Sequence, residues 1–218
     1  MTVGPAGIEL RYWSITGEKV QTRAAICTDI CSAPPLLCAR KLRLDDGTAD
    51  GTEVLQVRLS GAQVTLGYER LDNEILAGFR LDRLARRTDT ACYPPHVSRL
   101  HGYDADSTEP FALLLPYCGE PVGTLERRLL PREQLRFQVG LLKGLRWIAA
   151  AGIAHRGISP STVRWDAGSQ QVQICDFSLA TAVGAPRTVV GTPPWAALEQ
   201  QRSRVSADDA DLRRSRQG

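Results

Sequence analysis

The sequence predicts an α+β fold, with a β-rich N-terminal half that carries one helix and a helical half after it. Two periodicities predict this arrangement. Short β-type segments alternate with turn residues before residue 66, and two later stretches repeat apolar residues every three or four positions. The composition, with 43% hydrophobic and 23% charged residues among 218, is that of an ordinary globular chain.

The β-type segments come first, at residues 8–15, 22–26, 36–44 and 54–59, with a further candidate at 62–66. A polar turn with Asp45, Asp46 and Gly47 separates the third segment from the fourth. Residues 69–85 then have apolar side chains at helical spacing with charges between them. We expect the first helix there.

Two more strands and a longer helix follow. The segments 97–103 and 111–115 predict a pair of strands joined by a polar turn. Residues 131–150 predict the long helix, because Pro131 suits a first helical turn and Gly152 is typical of a helix end.

Three short motifs stand in order along the C-terminal half. Residues 155–166 read HRGISPSTVRWD, and Asp176, Phe177 and Ser178 follow ten residues later. Residues 191–195 read GTPPW, and residues 197–199 read ALE. The chain resembles the eukaryotic-type Ser/Thr protein kinases, which carry HRDxKPxNxxxD, DFG and GTPxY…APE in this order.

The resemblance implies a kinase-like fold with two lobes. It places an N-terminal extension at residues 1–23, a small β-rich N-lobe at 24–117 and a partial C-lobe at 118–200. Residues 201–218 are then a basic tail or the start of a truncated helix. We therefore expect an incomplete helical C-lobe, in which the long helix leaves an apolar surface uncovered.

The resemblance also implies that no catalytic residue is intact. Gly157 stands at the position of the aspartate that accepts the proton of the substrate hydroxyl. Ser159 stands at the position of the loop lysine. Asp176 is retained as a metal ligand, but alone it makes a weak magnesium site. Thr162 replaces the asparagine that holds the second metal ion, and its hydroxyl is a poor ligand.

The nucleotide cleft implied by the resemblance is degenerate, and its residues here are Arg58, Glu74, Cys118 and Arg164. Arg58 replaces the lysine and either pairs with Glu74 or is a surface residue of its strand. Arg164 replaces an apolar residue beneath the adenine, where it is costly to desolvate or else fills the slot itself. Three residues replace the glycines of the phosphate-binding loop: Asp29, Cys31 and Pro34.

The resemblance implies packing roles for three retained residues, His155, Arg156 and Phe177. The histidine and the phenylalanine would stack in an internal column, and the arginine would organise the segment after Asp176. The motif therefore keeps the residues that maintain shape and loses those that handle phosphate.

We therefore expect a pseudokinase-like regulatory or protein-binding module. No cofactor is expected, and any binding of ATP with Mg²⁺ should be weak. The partner would be a protein that covers the exposed helical surface, or a second copy of the chain. Two alternatives stay open: an active atypical Ser/Thr kinase that uses Asp176 and Lys41, and a remnant without a stable fold of its own.

Other partners and compartments are disfavoured by composition. A net charge of +3 is too small to indicate nucleic acid. No apolar run approaches the roughly 20 residues that cross a bilayer, and the N-terminus does not resemble a secretory signal. The six cysteines form no C-x-x-C pair, which favours reduced thiols. We expect a cytoplasmic protein, and the excess of arginine over lysine favours a GC-rich, bacterial genome.

Overall fold

The computed structural model describes residues 7–15, 20–31, 37–48, 50–59, 64–88, 93–185 and 194–196. Several sequence predictions fall outside these residues. They concern Pro34, residues 191–193, residues 197–199 and the tail at 201–218.

Eleven strands and two α-helices form the described part of the chain. The strands are β1 Gly7–Ser14, β2 Val20–Cys31, β3 Leu37–Leu44, β4 Thr52–Leu59, β5 Leu100–Asp104, β6 Phe111–Leu114, β7 Glu120–Pro121, β8 Ile153–Ala154, β9 Val163–Asp166, β10 Gln171–Ile174 and β11 Thr181–Ala182. The helices are α1 Val64–Arg87 and α2 Pro131–Ala150, with a 3-10 turn at Val122–Thr124. This is the α+β composition that the sequence predicts.

The helices test the periodicity argument. The predicted bounds of α2 are confirmed at both ends. Helix α1 is longer than predicted, and the candidate strand at 62–66 is wrong for residues 64–66, which form its first turn. These residues are Val64, Thr65 and Leu66. In a helix, Val and Thr are each less favourable than Ala by only about a few tenths of a kcal/mol. Local propensity therefore yields to the continuation of the helix.

The first six strands form a closed antiparallel barrel in the order β1-β2-β3-β4-β6-β5. Strand β1 closes it by pairing with β5, with Trp13 opposite Tyr103. The contact is close at Gly102, where a Cβ atom would lie 2.5 Å from the ring of Tyr12. The predicted domain boundary at residue 24 lies within β2, and the division into domains stays a prediction.

Two apolar clusters lie on opposite faces of the barrel sheet. One fills the barrel and contains Leu10, Tyr12, Ala25, Leu42, Leu44, Val54, Phe111 and Leu113. The other lies between the sheet and α1, where Leu55 and Val57 of β4 pack with Leu71 and Ile75. Because successive strand residues alternate between faces, β4 contributes to both clusters.

A second region, the α2 region, consists of α2 with strands β7 to β11. Strands β7, β9 and β10 form one sheet in the order β10-β9-β7, and β8 pairs with β11. Ala77 and Leu81 of α1 share a buried cluster with Ile148 of α2 and with Phe177. Helix α1 thus packs against the barrel near its start and against the α2 region further along. Within the described residues, neither α1 nor α2 has both the length and the hydrophobicity of a membrane-spanning helix.

The link between the barrel and the α2 region passes through residues 115–121. Strand β7 in this link pairs with β9, with Glu120 opposite Trp165. Gly119 has a φ of +61°, and a Cβ atom there would lie 2.1 Å from the carbonyl oxygen of Trp165. Glycine is therefore required at position 119 for two reasons: the backbone has a positive φ, and the backbone of β9 lies too close for a Cβ atom.

We expect Gly119→Ala to destabilise the fold much more than a positive φ alone would. A left-handed alanine costs about 1–2 kcal/mol, and a clash with backbone adds about as much again or more, giving a total of about 2–4 kcal/mol or more. Gly47→Ala is the matched control, because Gly47 also has a positive φ but nothing within 4 Å of its Cβ position. Urea denaturation of both variants measures the difference, and equal losses would show that the link is not closely packed.

Candidate functional site

The segment that follows β8 begins with a buried histidine, His155. Its Nδ1 accepts a hydrogen bond from the Gly157 amide at 3.2 Å, and its Nε2 lies 3.3 Å from the Cys175 carbonyl oxygen. Because an amide only donates and a carbonyl only accepts, the ring carries its proton on Nε2 and is neutral. Burial lowers the pKa of His155 to about 4. Its ring lies 4.7 Å from that of Phe177, so the side chain has a packing role.

Gly157 has no side chain, and it stands where the resemblance implies a catalytic aspartate. A Cβ atom on Gly157 would meet Leu179 Cδ1 at 3.5 Å and His155 Nδ1 at 3.6 Å, which is ordinary van der Waals contact. A Cβ atom would therefore fit, and packing around that atom does not require the glycine. The neighbouring Arg156 donates from Nε to the Leu179 carbonyl at 2.7 Å, so it contacts the segment after Asp176 as the resemblance implies.

Thr162, the second predicted metal ligand, is hydrogen-bonded to other residues of the same loop. Its hydroxyl donates to the Gly157 carbonyl at 2.8 Å and accepts from the Ser159 amide at 3.0 Å. These bonds use its one proton and one of its two lone pairs. Ser159 is buried, and its hydroxyl lies 2.8 Å from that of Ser161. Both side chains hold the loop in shape and leave little capacity for a ligand.

The segment Asp176, Phe177 and Ser178 is attached to α1 by two hydrogen bonds. The buried Glu74 accepts one from the Phe177 amide at 2.7 Å, and Asn73 Nδ2 donates one to the Ser178 carbonyl at 3.0 Å. Asp176 has a φ of +66°, and its Oδ1 accepts from the Ser178 amide at 3.2 Å. Asp176 thus caps its own turn, which is a structural role for the predicted metal ligand.

The two carboxyl groups near this segment resist ionisation. Burial, and then the negative charge of Asp176, raise the pKa of Glu74 to about 8, against the opposing effect of the Phe177 amide. Burial also raises the pKa of Asp176, while the hydrogen bonds from Ser178 oppose the rise. Glu74 is therefore mostly protonated at neutral pH.

The predicted ion pair between Arg58 and Glu74 is not formed. Leu55 and Val57 are the β4 residues that pack toward α1, so Arg58 is directed to the opposite face of the strand. Its Nε lies 3.2 Å from Cys38 Sγ and its Nη1 lies 4.0 Å from Glu109 Oε2, with 41% of the side chain exposed. The alternative interpretation, a surface strand residue, describes Arg58. A shift of one residue along β4 moves a side chain from one face of the strand to the other.

Arg164 lies against the hinge formed by Tyr117, Cys118 and Gly119. Its Nε donates to the Cys118 carbonyl at 3.3 Å and its Nη2 donates to the Gly119 carbonyl at 2.6 Å. Its guanidinium carbon lies 5.5 Å from the centre of the Tyr117 ring. Arg164 is thus bound to the backbone of the hinge, and its place in an adenine slot stays a prediction.

Gln173 is a site residue that the sequence analysis missed. Its Oε1 accepts a hydrogen bond from the Cys118 amide at 3.0 Å, and it lies opposite Arg164 in the β9–β10 pair. A signal existed in the alternation of Gln173 with the apolar Val172 and Ile174, which directs it to the polar face of β10. The register of the β9–β10 hairpin was needed to place it beside Arg164.

The predicted site residues therefore divide into two groups. Around the buried segment lie Gly157, Ser159, Thr162, Asp176 and Glu74, and at the hinge lie Cys118 and Arg164. Arg58 belongs to neither group. Of the glycine-loop positions, Asp29 and Cys31 lie on β2, opposite Lys41 and Ala39 of β3.

Comparisons with known proteins point to one class. The chain is 32% identical over 93 residues, 39% of its length, to a probable serine/threonine-protein kinase of Streptomyces coelicolor. It is 33% identical over 122 residues, 51% of its length, to CBL-interacting protein kinase 4 of Oryza sativa. It is 30% identical over 193 residues, 80% of its length, to dual specificity testis-specific protein kinase 1 of Rattus norvegicus.

The matches cover 14%, 27% and 29% of these three relatives, so the chain spans less than a third of each. No family model matches the chain. The similarities support a protein kinase-like domain, in agreement with the resemblance seen in its motifs.

The raised pKa of Glu74 gives the fold a pH dependence that Glu74→Gln should remove. An unfolded glutamate titrates near 4.5 and the native one near 8, so between these values the native state binds a proton that the unfolded state lacks. The free energy of unfolding therefore falls as pH rises through this window. The slope contributed by Glu74 is on the order of 1 kcal/mol per pH unit, and the glutamine keeps an oxygen for the Phe177 amide.

Urea denaturation from pH 6.5 to 8 isolates this effect. His155 has the opposite dependence, because its lowered pKa makes stability fall as pH drops from 6.5 through about 4. That contribution is the same in wild type and in Glu74→Gln, so it cancels when their slopes are compared. Glu120→Gln, at an exposed position, is the control. Identical slopes for wild type and Glu74→Gln would refute the buried, protonated carboxyl.

Proposed function

We propose that this protein kinase-like domain is catalytically impaired and acts as a regulatory, protein-binding module. The single observation that carries the proposal is the loop at Gly157, where the position of the catalytic base offers no side chain although a Cβ atom there would make only ordinary contacts. Beside this loop, the rings of His155 and Phe177 are in tilted contact at 4.7 Å.

The remaining parts of a phosphoryl-transfer site support the same conclusion. Transfer needs a lysine held by a helix glutamate, a base and two metal ligands. Glu74 accepts a hydrogen bond from the Phe177 amide, and Arg58 is directed to the other face of β4, so the two side chains do not pair. Thr162 uses its hydroxyl within the loop. Asp176 is the one carboxylate among the metal ligands predicted from the sequence, and a single carboxylate binds Mg²⁺ weakly.

An active atypical kinase is the second candidate, and one observation favours it. Asp176 is retained, and its segment is hydrogen-bonded to α1 through Glu74 and Asn73. The lysine would have to come from elsewhere, and Lys41 is exposed on β3. Catalytic groups act together on the transition state, so the loss of several of them should lower activity strongly. We therefore favour the impaired module.

We expect neither nucleotide binding nor phosphoryl transfer. In a thermal-shift titration with ATP and Mg²⁺ or Mn²⁺, saturation to 100 times Kd would add about 2.7 kcal/mol of stability, whereas we expect no shift. Incubation with γ-labelled ATP and a generic protein acceptor should leave all proteins unlabelled. Label that depends on this chain and disappears in Asp176→Ala would establish the active alternative.

The exposed face of α2 is the surface that we propose for a protein partner. Leu135, Val139 and Leu142 lie at helical spacing and are 63%, 43% and 65% exposed. The exposed charges beside them are all basic: Arg132, Arg136, Lys143 and Arg146. The acidic residue of α2, Glu133, is already bound by Arg127 through two hydrogen bonds of 2.7 Å. An amphipathic helix with an acidic edge has the complementary chemistry.

We expect Leu142→Ala to change the stability of the isolated chain by less than about 0.5 kcal/mol, because an exposed side chain has little burial to lose. Ile148→Ala, on the buried face of the same helix, should cost about 2–5 kcal/mol. Chemical denaturation of both variants tests this. A loss for Leu142→Ala as large as that for Ile148→Ala would mean that the chain covers this face itself, and no partner surface would remain.

A further inference from the structure

The geometry points to a cleft that is closed by the chain's own side chains. We propose that Arg164 and Gln173 form a hinge clamp, the pair of side chains that binds Tyr117, Cys118 and Gly119, and that this clamp excludes a planar base from the cleft. The inference deepens the proposed function and rests on it, because a module without phosphoryl transfer has no need of a bound nucleotide.

Arg164 contacts three consecutive residues of the hinge. It donates to the carbonyls of Cys118 and Gly119 at 3.3 and 2.6 Å, and its guanidinium lies over the Tyr117 ring. Bonds from a charged donor are stronger than those between neutral groups, and the cation–π contact adds to them. The flat guanidinium thus occupies the kind of position, beside an aromatic ring and backbone acceptors, that a flat heterocycle needs.

Gln173 completes the clamp from the neighbouring strand. It lies directly opposite Arg164 in the β9–β10 pair, and its Oε1 accepts the Cys118 amide at 3.0 Å. Both backbone polar groups of Cys118 are therefore satisfied within the chain, the amide by Gln173 and the carbonyl by Arg164. The amide has only one proton, so an incoming base could use it only by displacing the bond to Gln173, and the carbonyl already accepts one hydrogen bond from Arg164.

The hinge backbone cannot move aside easily. Gly119 lies so close to β9 that a Cβ atom would be 2.1 Å from the Trp165 carbonyl oxygen, and β7 continues the contact by pairing with β9. Arg164 and Gln173 lie on the same two strands that hold the hinge. The clamp and the close approach therefore fix the link between the barrel and the α2 region without a ligand.

Adenosine is the probe for the clamp, because it presents the planar base without phosphate and without a need for metal. Arg164→Leu with Gln173→Ala should bind adenosine at least tenfold more tightly than the wild-type chain in isothermal titration calorimetry. The matched control combines Arg83→Leu, at an exposed position on α1, with Gln171→Ala, the same residue type two positions along the same face of β10. The control should bind as the wild type does.

Amide hydrogen exchange at Cys118 provides a second measurement on the single variant Gln173→Ala. Loss of the Oε1 acceptor should speed exchange at this amide by about tenfold or more while Gln171→Ala leaves it unchanged. This measurement keeps the clamp testable if replacement of Arg164 prevents folding.

Two results would overturn the clamp: equal adenosine affinity in the wild type and the double variant, or an unchanged exchange rate at Cys118 in Gln173→Ala. Neither readout depends on catalysis, so their failure leaves the proposed function standing. Chain-dependent labelling from ATP would instead overturn the proposed function, whatever adenosine does.

Discussion

The hydrogen bond from the Phe177 amide to the Glu74 carboxyl joins two segments 103 residues apart, and much of the architecture depends on it. Helix α1 packs on the barrel through Leu71 and Ile75 and on the α2 region through Ala77 and Leu81. Glu74 lies between these contacts and fixes the helix to the turn at Asp176. An isolated buried carboxylate would be very costly, so the raised pKa and the hydrogen bond are the conditions under which the group can be buried.

The hinge is the second connection, and its chemistry is different. At α1 the partners are a carboxyl that is mostly neutral and a backbone amide, whereas at the hinge a permanent cation, Arg164, binds carbonyl oxygens and an aromatic face. The first connection therefore depends on the protonation of a carboxyl, whereas the second is made by a guanidinium bound to carbonyl oxygens. Together they connect the barrel to the α2 region.

The sequence was most informative where a pattern repeats or where a motif fixes a loop. Helix α2 was predicted to its end residues because Pro131 and Gly152 flank a clear helical period. The packing pair His155 and Phe177 followed from the motif, and their rings are in contact. Of the two alternatives that the sequence left open for Arg58, the pair with Glu74 is not formed. A shift of one residue reverses the faces of a strand, and aligned motifs do not fix that shift.

Side-chain partners across the chain were harder to foresee. Gln173 binds a backbone amide 55 residues away, and this contact depends on the register of a hairpin and on the path of the hinge. Arg164 had two possible placements that differ by rotamer alone, and sequence carries no information on rotamers. The amide acceptor for Phe177 was equally invisible, because helix α1 reaches it only through tertiary packing.

Closure of the barrel by β1 has a consequence for recognition. Sheets with free edges can recruit a peptide as an additional strand, and the same edges promote aggregation. Each of the six described barrel strands has a neighbour on both sides, since β1 pairs with β2 and with β5. Where β1 meets β5, at Trp13 and Ser14, a peptide therefore cannot add a strand, and a protein that docks at this closure has to be selected by side chains.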